Sequence, residues 1–242
     1  MKKPIRMCGL TLAAMHYVRS MMISNAVTLV GPASAWDALV RLGEADGSAA
    51  HPHMLRLIAG GPAQRNLSDA VHALCAVHGH HPGMIADVLA RGVQSDAVAW
   101  LATAAAGFAG ERAYLAQLTA AVGPLPSTPG QAESELALVG ERHALEMLAR
   151  SERTGCATGA AAALIHDWKA IRCVLDAAAE RFGVAMPPST FPPASETASS
   201  IARLGASPSC ERAILFGAQQ LFAQHRGLWS LLEARASARG DL

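Results

Sequence analysis

Five ionisable side chains stand where the helical pattern of this sequence calls for apolar ones. At about 100° per residue along each predicted helix, two carboxylates and three imidazoles fall within the apolar stripe or at its edge. They are Glu111, Asp167, His78, His143 and His225. Each comes from a different predicted helix, so a packed bundle can bring all five together in its interior.

Such a cluster has three interpretations. Burying a lone carboxylate is costly, so Glu111 and Asp167 need partners. The cluster can be a polar network in which Glu111 and Asp167 bind histidines or an arginine such as Arg142, and which fixes the register of the helices. It can be a metal site, since two carboxylates and up to three imidazoles suit iron, manganese or zinc. It can also supply the polar anchors of a small-molecule pocket between helices.

The composition favours packed helices that would position these residues. The chain has 242 residues, of which 51% are hydrophobic and only 5% aromatic. Alanine is abundant, has the best helix propensity and lets helices approach closely. The formal net charge is +1, and no basic stripe interleaved with aromatic residues occurs, which argues against a nucleic-acid partner.

The longest helical signal spans residues 127–183 and is typical of a hairpin of two long helices. We expect Thr128 to cap the first helix. The turn is predicted near Thr154 and Gly155. Gly183 fits the end of the second helix, because glycine readily adopts a positive φ. The sequence therefore predicts a helical hairpin at the centre of the fold.

The remaining segments complete the predicted organisation. Residues 186–200 are rich in proline, serine and threonine, and their prolines predict an extended surface connector. We expect residues 1–31 to form a poorly ordered extension and residues 32–242 to form a single domain. The predicted fold is all-α, an antiparallel bundle of four to six principal helices around the central hairpin.

The N-terminal region contains the sequence signals that bear on the cellular location of the protein. Its apolar run, residues 7–18, is interrupted by His16 and Tyr17, and no stretch approaches the ~20 apolar residues that cross a bilayer. We therefore expect no membrane span and a cytoplasmic protein. Ala33-Ser34-Ala35 is similar to a signal-peptidase site, so the alternative is a secreted or periplasmic protein with an N-terminal signal.

Two stretches resemble an uncharacterised family of alphaproteobacterial helical proteins, a domain of unknown function. They are NLSDAVHALCAVHGHHPG and PLPSTPGQAESELALVGERHALEMLARSERTGC. The resemblance extends from Trp36 to Gly183 and implies no activity. The bundle is also similar to ferritin-like di-iron proteins at the level of fold. However, the paired Glu-x-x-His motifs of those proteins are absent, since Glu141 is followed three residues later by Ala144.

Two classes of function are compatible with these patterns. The first is a helical scaffold or interaction module, which can form a homodimer through an alanine-rich helix face. The second is a metal- or ligand-binding bundle, with oxidase-type chemistry as one outcome. The five-residue cluster is the feature that distinguishes the two classes.

Overall fold

A computed structural model describes residues 34–59 and 64–242, and all the regular secondary structure in these residues is helical. Within these two ranges the chain forms nine α-helices and two single turns of 3-10 helix, at Ser48–Ala50 and Ser95–Ala97. The α-helices are α1 (Ala35–Asp46), α2 (Pro52–Ile58), α3 (Gln64–His78), α4 (Met84–Arg91), α5 (Val98–Ala121), α6 (Gln131–Ala149), α7 (Cys156–Phe182), α8 (Ala194–Leu204) and α9 (Pro208–Ala238).

The predicted all-α class is confirmed, since the described residues contain no strand. In the same ranges no helix is both long enough and apolar enough to cross a membrane. The predicted extension at residues 1–31 lies outside the described residues.

The core is built on the pair α7 and α9, which make the most extensive contact between any two helices of the described chain. The alanine run 160–163 of α7 is completely buried. Gly159 of α7 lies against the backbone of Ile214, and Gly217 of α9 lies against the backbone of Cys156. Because this alanine-rich face is covered within the chain, it does not supply the dimer surface that the composition suggested.

The ends of several helices agree with the sequence signals. Ser34 and Asp37 form a capping box at the start of α1, with the Ser34 amide donating to the Asp37 carboxylate at 3.0 Å. Gly183 follows α7 with φ of 71°, in the left-handed region that glycine tolerates. The turn of the hairpin falls between Ala149 and Cys156, as predicted.

The start of the hairpin was predicted wrongly. Helix α6 begins at Gln131 and follows Gly130, which has φ of 72° and provides no side-chain cap. The hydroxyl of Thr128 instead accepts a hydrogen bond from Arg239 at 2.7 Å. The Thr128 side chain, which the sequence pattern predicted to cap the helix, thus binds a residue more than a hundred positions away in the sequence.

The extended connector is shorter than predicted. Residues 186–193 have no regular structure, but α8 occupies residues 194–204. Pro193 is the N-cap of that helix, so the last proline precedes the helix and does not interrupt it. The spacing of the buried residues Thr197, Ile201 and Leu204 is helical.

Helix α6 lies on the surface and buries little of itself. Its buried residues are Ser134, Leu145 and Ala149. The apolar residues beside His143 point to solvent: Leu136 is 72% exposed and Met147 is 52% exposed. The described structure therefore presents an apolar helix face to solvent.

Candidate functional site

A buried carboxylate–imidazole pair lies at the centre of the bundle. Asp167 of α7 and His225 of α9 meet at 2.5 Å between Oδ2 and Nδ1, and both are almost inaccessible to solvent. Ser48 follows α1 and donates to Asp167 twice, from its amide at 2.8 Å and from its hydroxyl at 2.5 Å. The indole N–H of Trp229 donates to the Ser48 hydroxyl at 2.8 Å. The Asp167 carboxylate thus joins α7 to α9 and to the 3-10 turn that follows α1.

These contacts determine the charge state of Asp167. Burial alone raises the pKa of this carboxyl, but the hydrogen bonds and charge of His225 and the two bonds from Ser48 outweigh burial. The pKa of Asp167 therefore lies below its ordinary value. An ionised carboxylate only accepts hydrogen bonds, so Nδ1 of His225 carries the proton in this pair. When the ring is neutral, Nε2 keeps a free lone pair.

A second buried histidine stands beside the first. His78, the last residue of α3, lies 5.1 Å from His225 between ring centroids, with the two rings nearly perpendicular. Burial holds the pKa of His78 well below its ordinary value, and the neighbouring His225 lowers it further, so the ring is neutral. The Nε2 atoms of both rings are buried and have no hydrogen-bond partner within the described structure.

The network continues from His78 to the far side of the core. The His78 ring packs edge-on against Trp168 at 5.2 Å between centroids. The indole N–H of Trp168 donates to Glu111 Oε2 at 3.1 Å. Arg172, one turn further along α7, donates from Nη1 to both Glu111 oxygens at 2.9 Å. Arg172 also binds Asp176 at 2.7 Å, so the Glu111 charge is compensated by an arginine that is itself paired.

Four of the five predicted site residues are buried. Glu111, Asp167, His78 and His225 lie in the interior, whereas the His143 side chain is 68% exposed. The prediction for His143 was wrong because it treated the outer stripe of α6 as an inner one. Arg142 is not the completing arginine either, since it contacts His80 at 2.7 Å.

The four interior residues do not share a single point. Glu111 is held by Arg172 and Trp168, and the Trp168 indole separates it from the histidines. Among residues 34–59 and 64–242, no group of three or more His, Cys, Asp or Glu side chains is placed to hold a metal ion. The arrangement of the described residues favours the polar-network interpretation.

Two members of the network were missed by sequence reasoning. Ser48 lies in a short 3-10 turn, and no pattern in the sequence marks it. Arg172 carried a signal, because it lies four residues after Trp168 and therefore shares its helix face. Testing every charged residue against the apolar stripe would have found it.

A separate buried ionic cluster, which we call the clasp, ties the end of α9 to α3. Its centre is Asp69, which accepts a two-pronged bond from Arg235 at 2.8–3.1 Å and a further bond from Arg239 at 2.7 Å. Arg239 also donates to Asn66 at 2.8 Å and to Thr128 at 2.7 Å. Arg235 lies three residues after Leu232 on the inner face of α9, so the same stripe test would have identified it.

Comparison with known proteins gives a family but no activity. No curated protein matches the chain. No solved structure matches it either. A model of a family of unknown function, DUF6975, matches residues 43–240, a span that includes the interior network and the clasp. The chain belongs to this family of unknown function.

Proposed function

We propose that the protein is an interaction module that pairs with a second copy of itself through the outer face of α6. The observation that carries the proposal is the exposed apolar stripe of Leu136, Val139 and Met147, which are 72%, 50% and 52% exposed. These residues recur at helical spacing on the side of α6 away from its buried residues. Contiguous exposed apolar surface commonly marks a protein–protein interface.

The charge pattern of α6 favours a copy in the antiparallel orientation. The helix has 19 residues and is therefore about 28 Å long. Its first half carries Glu133 and Glu135 without a basic residue, whereas its second half carries Arg142 together with Glu141 and Glu146, and Arg150 is its C-cap. Two copies related by a twofold axis would place Glu133 and Glu135 of one near Arg142 and Arg150 of the other.

The test is the molecular mass of the full chain in solution over a wide range of protein concentrations. We expect a dimer that dissociates on dilution. The double substitution Leu136→Glu and Met147→Glu should raise the dissociation constant by about 100-fold or more, because it places charge in the buried centre of the interface. Sedimentation equilibrium measures both constants.

Matched controls separate this surface from general hydrophobicity. Leu55→Glu and Val98→Glu alter residues that are 47% and 42% exposed on other helices, and they should leave the dimer intact. Glu135→Arg and Arg150→Glu should each weaken the dimer, and together they should restore it partly. A wild-type chain that stays monomeric at every concentration would refute the proposal, as would equal effects of the stripe and control variants.

The interior histidine pair supports a second candidate, a metal site that is smaller than the five-residue set. In protein metal sites a carboxylate commonly holds the other nitrogen of a ligating imidazole, and Asp167 holds Nδ1 of His225 in this way. The free Nε2 atoms of His225 and His78 would be the ligands. Imidazole is a suitable ligand for zinc and iron.

A cavity also reaches one member of this pair, His78. A cavity of about 30 Å³ is lined on the inside by His78 and Phe108 and nearer the surface by His80, Arg142 and Glu146. About 10–15 Å³ suffices for one water molecule, so the cavity can admit water or a small ion.

Elemental analysis of protein produced without a histidine tag, after exposure to zinc, iron or manganese, tests this candidate. We expect the wild type to retain stoichiometric metal and to gain thermal stability when metal is added. His225→Ala should lose both properties, and His143→Ala should keep them because His143 lies on the surface. Metal retention unchanged in His225→Ala, or none in the wild type, would eliminate the site.

A further inference from the structure

An open groove of about 610 Å³ lies where α1, α9 and the turn between α6 and α7 meet. We call it the arginine groove. Its lining residues are Ala38, Arg41, Leu42, Arg153, Arg212, Leu215, Phe216 and Gln219. None of these residues belongs to α6, to the interior network or to the clasp, so the groove is independent of the function proposed above.

Part of the groove is apolar. Leu42 comes from α1, and Leu215 and Phe216 come from α9. Phe216 is 47% exposed, an unusual position for a phenylalanine in a chain with few aromatic residues. The groove therefore offers a ligand an aliphatic and aromatic surface that water would otherwise cover.

Three arginines from three separate segments surround this surface. The side chains of Arg41, Arg153 and Arg212 make no hydrogen bond or ion pair with any described residue. No acidic residue lines the groove. The nearby Asp37 of α1 has its carboxylate engaged in the capping box of Ser34. The hydrogen bonds from Ser34 and, less strongly, the charge of Arg41 lower the pKa of Asp37. The charges of Arg153 and Arg212 are not paired with any described acidic residue.

We propose that the arginine groove binds an amphipathic anion, a carboxylate or phosphate group attached to a hydrocarbon chain. The planar guanidinium group can donate paired hydrogen bonds to two oxygens of a carboxylate or of a phosphate. The hydrocarbon chain would lie on Leu42, Leu215 and Phe216. A volume of about 610 Å³ falls within the ~300–1,000 Å³ typical of small-ligand sites.

Isothermal titration calorimetry on the full chain tests the proposal with four probes. Decanoate and decyl phosphate carry both the anionic head and the apolar chain, and we expect both to bind. Decyltrimethylammonium keeps the chain and reverses the charge, and inorganic phosphate keeps the charge without the chain. We expect neither of these to bind at the concentrations that saturate decyl phosphate.

Substitutions assign the binding to the groove. Arg41→Gln, Arg153→Gln and Arg212→Gln should each weaken decyl phosphate binding by about tenfold, the loss of one charge-assisted contact. Phe216→Ser should weaken it through the chain alone. Arg181→Gln, at the opposite end of α7 from Arg153, is the matched control and should have no effect.

Each other outcome contradicts the proposal. Equal binding of decyltrimethylammonium would show that the arginines do not select charge. Equal binding of inorganic phosphate would show that the apolar surface contributes nothing. Because all the groove variants alter exposed or half-exposed side chains, their folding can be verified by an unchanged melting temperature, and an unchanged affinity in a folded variant refutes the assignment.

Discussion

Gly217→Ala is expected to destabilise the protein by about 3 kcal/mol, at the upper end of the range for an overpacked core. A Cβ at Gly217 would come within 2.9 Å of the Cys156 carbonyl carbon and 3.1 Å of the Ala160 amide nitrogen. These are backbone atoms, so no side chain can turn aside to make room, and α7 and α9 would have to separate. Urea denaturation of the full chain measures the loss.

Gly159→Ala should act in the same way, because its added methyl would meet Ile214 Cα at 2.6 Å. The control is Gly140→Ala in α6, where an added Cβ meets nothing within 4 Å. Alanine has the higher helix propensity, so this variant should gain about 0.5–1 kcal/mol. If Gly217→Ala and Gly140→Ala shift the unfolding midpoint alike, the close crossing of α7 and α9 is not real.

Asp69→Ala is expected to cost about 3–5 kcal/mol, because it leaves the charge of Arg235 buried without a carboxylate partner and removes one of the two carboxylates that Arg239 binds. The side chains of these arginines are only 5% and 4% exposed. The loss should appear as a lower unfolding midpoint in urea, with the same measurement on Asp96→Ala, an exposed carboxylate in a 3-10 turn, showing almost no change.

A double substitution tests the mechanism of this loss. Asp69→Leu combined with Arg235→Met replaces one bidentate pair by apolar side chains, which is often tolerated when a buried ion pair is removed whole. We expect the double variant to be more stable than Asp69→Ala. A double variant as unstable as the sum of its single changes would mean that the unpaired charge is not the source of the cost.

The interior positions of four predicted site residues followed from the sequence because their helices are regular. The angle of about 100° per residue accumulates predictably along one helix, so Glu111, Asp167 and His225 could each be compared with the apolar residues around them. The same calculation failed for His143. Periodicity identifies an apolar stripe, but it does not say whether the rest of the chain covers that stripe, and on α6 the chain does not.

The partners of those residues could not be predicted in the same way. Ser48 and Asp167 are separated by 119 residues in sequence, and Arg235 and Asp69 by 166. Which helix lies beside which is decided by the packing of the whole core, and no single helix contains that information. Local signals were reliable where the backbone alone decides, as at Gly183, and failed where a distant side chain competes, as at Thr128.

Helix α6 is held only weakly against the core, so it can unfold locally while the rest of the protein stays native. Few buried side chains hold this helix, and segments of that kind open without the rest of the protein. On its inner side Glu141 has a buried oxygen without a partner in the described structure, and burial raises the pKa of this carboxyl to about 8.

The ordinary pKa of this carboxyl is 4.5, so between pH 4.5 and about 8 Glu141 is protonated when α6 is packed against the core and ionised when α6 is unfolded. The packing of α6 is therefore destabilised as the pH rises from 4.5 to about 8. The helix that presents the apolar stripe thus opens more readily in mildly alkaline than in acidic solution. A partner that covers the stripe would suppress this opening.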